Sequence, residues 1–519
     1  MKDVASPNVV QTTHGHATRE MSFRALQALS GHGDPGKFGR MFPMLPGLDV
    51  ADDKLFELAM AMNDPDPSSP GGDNSAVPAG YTYLAQFIDH DITLDLTPLD
   101  QQQNDPLSTQ NFRSPALDLD SVYGPGPALA PFMYQRDRNT ATIPKLLIGK
   151  ASASQDLQGA EVPELPNDLP RNRLGRALIG DERNDENLLV AQTHLAFLKF
   201  HNAIYDHVAD RMSGAASQDE IFAEAKRLTR WHYQWIVLFD LVERVTEPGL
   251  VEKIKENGRK FYRFKSKPYI PAEFSGAAYR LGHSMIRETY NYNRVFNDDA
   301  PFKASLAALF DFTGKSGVIL GDDQATAPAN IGLSGVPAQQ SLPSSWVIDW
   351  RRFYEIENAD GVPVNASRKI DPFLTPALAS LPGEVDRNAM LAFRNLKRGV
   401  QLGLPSGQDV AGIMGITPLS EDDIAAGPDG EVAKQQGLHT ATPLWYYILK
   451  EAKIAHEGTR LGPVGSTIVA ETFLGLVHGD RESFMWQQSD WRPELPSSEA
   501  GKYTMADLLS FVGEINPVG

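Results

Sequence analysis

The sequence predicts a mostly α fold: a single large domain with long ordered loops and little β structure. Three observations carry this reading. Apolar residues recur at helical spacing in several separate stretches. No stretch sustains the alternation of a half-buried strand, and no low-complexity linker divides the 519 residues. A chain of this length can bury a core and still keep a cofactor-sized cavity.

The elements follow in order. Residues 1–45, rich in Gly, His and polar side chains, are expected to wrap the surface, and residues 46–519 to form the domain. The run DPDPSSPGG at 64–72 is a strong loop signal. Pro78 then suits the first position of a helix over 81–90. An irregular stretch from about 96 to 180 is full of Pro, Asn, Asp and Gly; so long a run in a compact protein usually carries function. Helical spacing returns over 187–212 with Leu188, Ala191, Phe197, Phe200, Ile204 and Val208. Ser217 and Glu220 form a capping box ahead of a helix over 221–245. Further helices are expected at 272–290, 387–400, 443–456 and 466–477.

Composition excludes several functions. The net charge of −18 argues against general binding to nucleic acid or anionic membranes. The chain has no cysteine, which removes disulfides, thiolate nucleophiles and cysteine-held zinc or iron–sulfur clusters. No continuous apolar h-region opens the chain and no apolar run spans a bilayer. A cytoplasmic protein without a transmembrane segment is expected.

One short motif raises the functional question. In QFIDHD (86–91), His90 stands between two aspartates. On a helix Gln86, Asp89 and His90 share a face, at i, i+3 and i+4, while Asp91 points about 100° away. A buried carboxylate needs compensation, so two positive partners are required, one for each aspartate. Downstream, GDERNDE (180–186) offers Arg183 and Glu186. YRLGH (279–283) places His283 three residues after Arg280, beside a glycine that would let something large and flat approach. RNLKR (394–398), before GLP (403–405), carries Asn395 and Arg398. In ALDLDSVYG (116–124), an extended backbone puts Asp118 and Asp120 on one side, a pair that with a nearby serine suits calcium. The spacing is not that of an EF-hand, since Tyr123 would stand where glycine is needed.

In this order these fragments resemble the animal-type haem peroxidases of the peroxidase–cyclooxygenase superfamily, bacterial members most. The resemblance implies haem b as cofactor, with His283 as the proximal iron ligand and Asn395 as the acceptor for that ring's other nitrogen. It implies His90 and Arg183 as the distal pair, Gln86 as the residue holding water or halide above the iron, and Arg280 and Arg398 as propionate partners. Asp89 and Glu186 match carboxylates that form esters with haem methyl groups. A calcium site is implied at Asp91, Ser114, Asp118 and Asp120 with the backbone carbonyl of Ala116. Asp120 stands where a hydroxyl residue is frequent.

The implied reaction reduces hydrogen peroxide through a ferryl porphyrin-radical intermediate and oxidises halides, pseudohalides or small aromatic donors. A neutral imidazole can accept a proton and return it, and an arginine stabilises charge growing on the departing oxygen. Two departures narrow the reading. Asn187 replaces the methionine that makes a sulfonium link in some members, so bromide, iodide, thiocyanate or phenols are better donors than chloride. Arg280 stands where fatty-acid dioxygenases carry a radical tyrosine, with Tyr279 displaced by one position, which weighs against that alternative. A non-enzymatic haem or calcium protein is the remaining reading, and His90 with Arg183 argues against it.

Overall fold

The computed structural model describes residues 36–94, 110–111, 113–136, 143–212, 216–322, 337–357, 361–382 and 384–519. Most of the segment expected to wrap the surface, residues 1–35, lies outside the described residues. The fold is 46% helical and 10% strand. Among the described residues the largest sheet has three strands. In it β1 (Gly36–Gly39) is central, antiparallel to Gln110–Asn111 and parallel to Ile270–Pro271. No described helix is long and apolar enough to cross a membrane.

Eight helices frame the core: α1 (Asp52–Ala61), α2 (Gly80–Ile92), α3 (Leu188–Arg211), α4 (Gln218–Ile236), α5 (Leu391–Gln401), α6 (Leu444–His456), α7 (Pro463–Gly479) and α8 (Met505–Val512). Helix α2 packs on α3, α3 on α4 and α8, α6 on α7, and α5 on α1 and α6. An aromatic joint ties the first three together. Phe87 of α2 stacks on Phe197 of α3 with centroids 4.6 Å apart, and Tyr233 of α4 meets both rings edge-on. Such pairs add about 0.5–1.5 kcal/mol each beyond burial.

Local chemistry explains the helix starts. Asn187 caps α3 by accepting from the Val190 amide, and the Ser217–Glu220 capping box opens α4. Three expectations need correction. Pro78 ends the strand Asp73–Pro78 instead of opening a helix; α2 begins at Gly80. A Cβ at Gly80 would lie 2.4 Å from the Tyr354 ring and 2.6 Å from the Phe353 carbonyl, so the turn into α2 is set by close packing.

The helix expected over 221–245 is α at Gln218–Ile236, widens into a π turn over Val237–Val242, and resumes at Glu243–Val245. The wide turn holds Asp240, which accepts from the Tyr81 hydroxyl, the Met505 amide and Arg244. The helix expected over 272–290 is instead a short α turn (Ala272–Ser275) and a 3-10 turn (Ala278–His283), followed by the strand Thr289–Tyr290. Gly276 stops the first turn: its amide closes onto Ala272, and a Cβ there would be 2.8 Å from Leu402.

Candidate active site

The C-terminal half of α2 forms one wall of a cavity of about 810 Å³. Gln86, Asp89 and His90 line it, as their shared helix face requires. The cavity is lined as well by the 3-10 turn with Arg280, Gly282 and His283, and by Asn395 and Arg398 of α5. In a 3-10 turn, residues three apart eclipse, so Arg280 and His283 face the same way. The turn Glu182–Asp185 and the start of α3 close the distal side with Arg183, Glu186 and Asn187. Every residue predicted to contact haem is thus gathered at this one cavity.

The distal groups are tightly bonded. His90 is 5% exposed, and its Nδ1 is 2.8 Å from Asn184 Oδ1. Its Nε2 lies 3.7 Å from Glu186 Oε1, beyond hydrogen-bond range. Burial, with help from the Arg183 guanidinium, pushes the His90 imidazole down to about 3, so it is neutral. Arg183 donates from Nη2 to the carbonyls of His90 and Thr93 at 2.9 and 2.6 Å and is clamped by Asp181. Among the described residues its Nη1 makes no hydrogen bond. Gln86 donates to Glu186 Oε1 and accepts from Asn187, both at 2.9 Å. Burial raises the carboxyls of Asp89 and Glu186, while Arg183 opposes the shift at both.

On the proximal side burial holds His283 down to about 3, with Arg280 and Arg394 contributing. In the neutral ring one nitrogen is bare, and the Asn395 contact decides which one. Asn395 is its partner, at 2.8 Å from Nδ1, but with the polarity opposite to expectation. The asparagine oxygen accepts from Arg280 Nη1 at 2.5 Å, which turns the amide nitrogen to the ring. A guanidinium is the stronger donor and takes the carbonyl. A Cβ added at Gly282 would meet no heavy atom within 4 Å, so the glycine opens onto the cavity. Size, two neutral imidazoles and flanking guanidinium groups all fit a haem.

Asp91 points away from the cavity, as predicted. It is fully buried and accepts from the amides of Leu119 and Ser121 and from the Tyr233 hydroxyl. Ser114 donates to Asp118 at 2.7 Å and, at 3.4 Å, to Asp120. Burial and the neighbouring Asp120 push Asp91 up to about 6 and raise Asp118 as well. The carboxylates are drawn together, yet among the described residues no group of three or more acids or histidines is disposed to hold a metal ion.

Three contributors have no counterpart in the sequence reading. Asp181 grips both Arg183 and Arg113 and is held well below the usual carboxylate range by them, against its burial. Asn184 links His90 to His194. Asn187, noted above only as a missing methionine, caps α3 and positions Gln86. Proximity to Arg183 in GDERNDE could have flagged Asp181 and Asn184, and the N-cap preference of asparagine could have flagged Asn187.

Residues 85–510 match the family model described as animal haem peroxidase. The chain is 23% identical over 429 residues to Heme peroxidase 2 of Caenorhabditis elegans, covering 77% of this chain and 53% of that protein. It is 25% identical over 378 residues to the Chorion peroxidase of Drosophila melanogaster, covering 68% and 41%. The chain therefore spans about half the length of the curated relatives it matches. Its fold is similar to Peroxidase A of Dictyostelium discoideum, with a TM-score of 0.57 at 15% identity over 94% of both chains. It is also similar to a fatty acid alpha-dioxygenase of Arabidopsis thaliana, with a TM-score of 0.55 at 15% identity over 93% and 76%. With the matched span covering the residues that line the cavity from Ala85 on, the chain belongs to the animal haem peroxidase family.

Proposed function

We propose that the protein reduces hydrogen peroxide at a haem held in this cavity and oxidises halides, pseudohalides or small aromatic donors. The observation that carries the reading is the pair of imidazoles, His90 and His283, lining one cavity with Arg183 beside the first. Bound haem supplies an iron that coordinates peroxide and takes up two oxidising equivalents. His283 would hold the iron through Nε2, which requires the ring proton on Nδ1 and the Asn395 amide turned to present its oxygen there. His90 Nε2 removes a proton from one peroxide oxygen and returns it to the other, which leaves as water. Arg183, fixed by Asp181, would stabilise the charge developing on that oxygen. Gln86 would order water or halide in the cavity, and Arg280 and Arg398 would neutralise the propionates.

Asp89 and Glu186 are the ester-forming carboxylates of this proposal; their raised affinity for protons shows that the cavity disfavours them as free anions. Calcium is proposed at Asp91, Ser114, Asp118 and Asp120 with the Ala116 carbonyl, supported by the crowding of like charges. The test is to load purified protein with haem, record its absorption before and after peroxide, and follow iodide and phenol oxidation. A peroxide-dependent spectral change with donor oxidation is expected, at least about 100-fold slower in His90→Gln. No spectral response in the loaded protein would end the proposal. Mass spectrometry under denaturing conditions after turnover should find haem still attached to the chain.

The likeness to a fatty acid alpha-dioxygenase favours a second reading, oxygen insertion into fatty acids. Tyr279 lines the cavity, but its hydroxyl is committed to the Ala85 carbonyl at 3.2 Å. Oxygen uptake with palmitate and no peroxide would establish it.

A further inference from the structure

We propose that Asn184 is a positioning residue that forces His90 and His194 into opposite tautomers, with the His90 proton on Nδ1 and its Nε2 left bare toward the cavity. This rests on the reading of His90 as the proton acceptor. All three side chains are buried: His90 is 5% exposed, and Asn184 and His194 are 0%. Asn184 stands in the turn Glu182–Asp185 between α2 and α3, with its backbone amide tied to the Asp181 carbonyl. Its Oδ1 is 2.8 Å from His90 Nδ1, and its Nδ2 is 2.9 Å from His194 Nδ1.

A carboxamide has an acceptor on one arm and only donors on the other. A neutral imidazole carries a single N–H. The oxygen arm therefore needs the proton on His90 Nδ1. The nitrogen arm needs a lone pair on His194 Nδ1, which sends that ring's proton to Nε2. One amide thus sets two rings at once, and turning it over would reverse both.

The far end of the chain supports a dedicated device. Among the described residues His194 Nε2 is buried without a hydrogen-bond partner, with the Phe87 ring edge-on at 5.8 Å between centroids. An unpaired buried polar atom calls for an explanation; here it accompanies a fixed proton on His90. Nothing among the described residues hydrogen-bonds His90 Nε2, so Asn184 is what specifies which nitrogen faces the peroxide. Without it the ring could sit with Nε2 protonated and unable to accept.

The test reads the tautomers directly. Full-length protein free of haem is labelled with 15N-histidine, and two-bond proton–nitrogen spectra are assigned with His90→Gln and His194→Gln. The expected result is His90 protonated at Nδ1 and His194 at Nε2. Asn184→Ala should move His90 toward a mixture of tautomers. Asn184→Asp, which keeps an acceptor, should preserve the Nδ1 form. In haem-loaded protein, the rate of the peroxide-driven absorption change should fall roughly tenfold or more in Asn184→Ala and recover in Asn184→Asp, with the donor KM unchanged.

A wild-type His90 protonated at Nε2, like tautomers on both rings, or a His90 signal indifferent to Asn184→Ala would overturn the proposal. The wild-type spectrum, once assigned, decides it even if the Asn184 variants fail to fold. The tautomer result is independent of turnover. Correct tautomers in a protein inert to peroxide would sink only the peroxidase reading; wrong tautomers in a reactive protein would sink only the coupling.

Discussion

Asp89, His90 and Asp91 occupy three successive positions and three different environments. The helix turns about 100° per residue, so Asp89 and His90 reach the cavity while Asp91 is sent into the core. That divergence was legible in the sequence because it depends only on helix geometry. The partner of His90 was not legible, because Asn184 meets it across 94 residues of chain. Titration follows from burial. The His90 imidazole, held down to about 3, is in its proton-accepting form throughout the ordinary range. The rate of the peroxide step should therefore stay flat from pH 7 to 5, measured by stopped flow. A fall centred on the ordinary histidine value would show that the ring is exposed to water. Because the folded-state value is depressed, this histidine favours the unfolded chain as pH drops below about 6.5.

Element boundaries divide into those written locally and those imposed by packing. Caps are local: Asn187 and the Ser217–Glu220 box lie where side-chain chemistry demands. The break at residues 276–278 and the widened turn at Val237–Val242 are not, since each answers to contacts from distant helices. Asn187 joins both kinds of constraint. Replacing it with alanine should cost about 1 kcal/mol in chemical denaturation through loss of the cap. It should also release the Gln86 amide, lowering the peroxide rate while donor KM stays unchanged. An unchanged rate would show that Gln86 is held by Glu186 alone.

At the scale of the whole molecule, the carboxylates of Asp91, Asp118 and Asp120 are brought together where α2 meets the 113–124 segment. Asp91 carries a folded-state value near 6, above that of an unfolded aspartate. Between about pH 4 and 6 the folded protein holds the extra proton, so stability falls as pH rises through that window. Asp91→Asn should flatten that fall, by on the order of 2 kcal/mol at pH 7 in the absence of calcium. Millimolar calcium should restore the wild type and leave the variant largely unmoved; equal responses would refute a cation role. The mostly α class was legible because helical spacing repeats along the chain. The cavity was not, because its walls come from α2, the 278–283 turn and α5, which only the folded topology brings face to face.

That separation along the chain makes the cavity a late product of folding. Residues 86–90 are made early and wait for residues 395–398 before the second wall exists, so a ligand that bridges the walls recognises only the finished protein. By mass action, haem at 100 times its dissociation constant should add about 2.7 kcal/mol to stability. Retained pigment would then serve as a gauge of completed assembly, and a melting temperature indifferent to haem would mean that the walls never close around it.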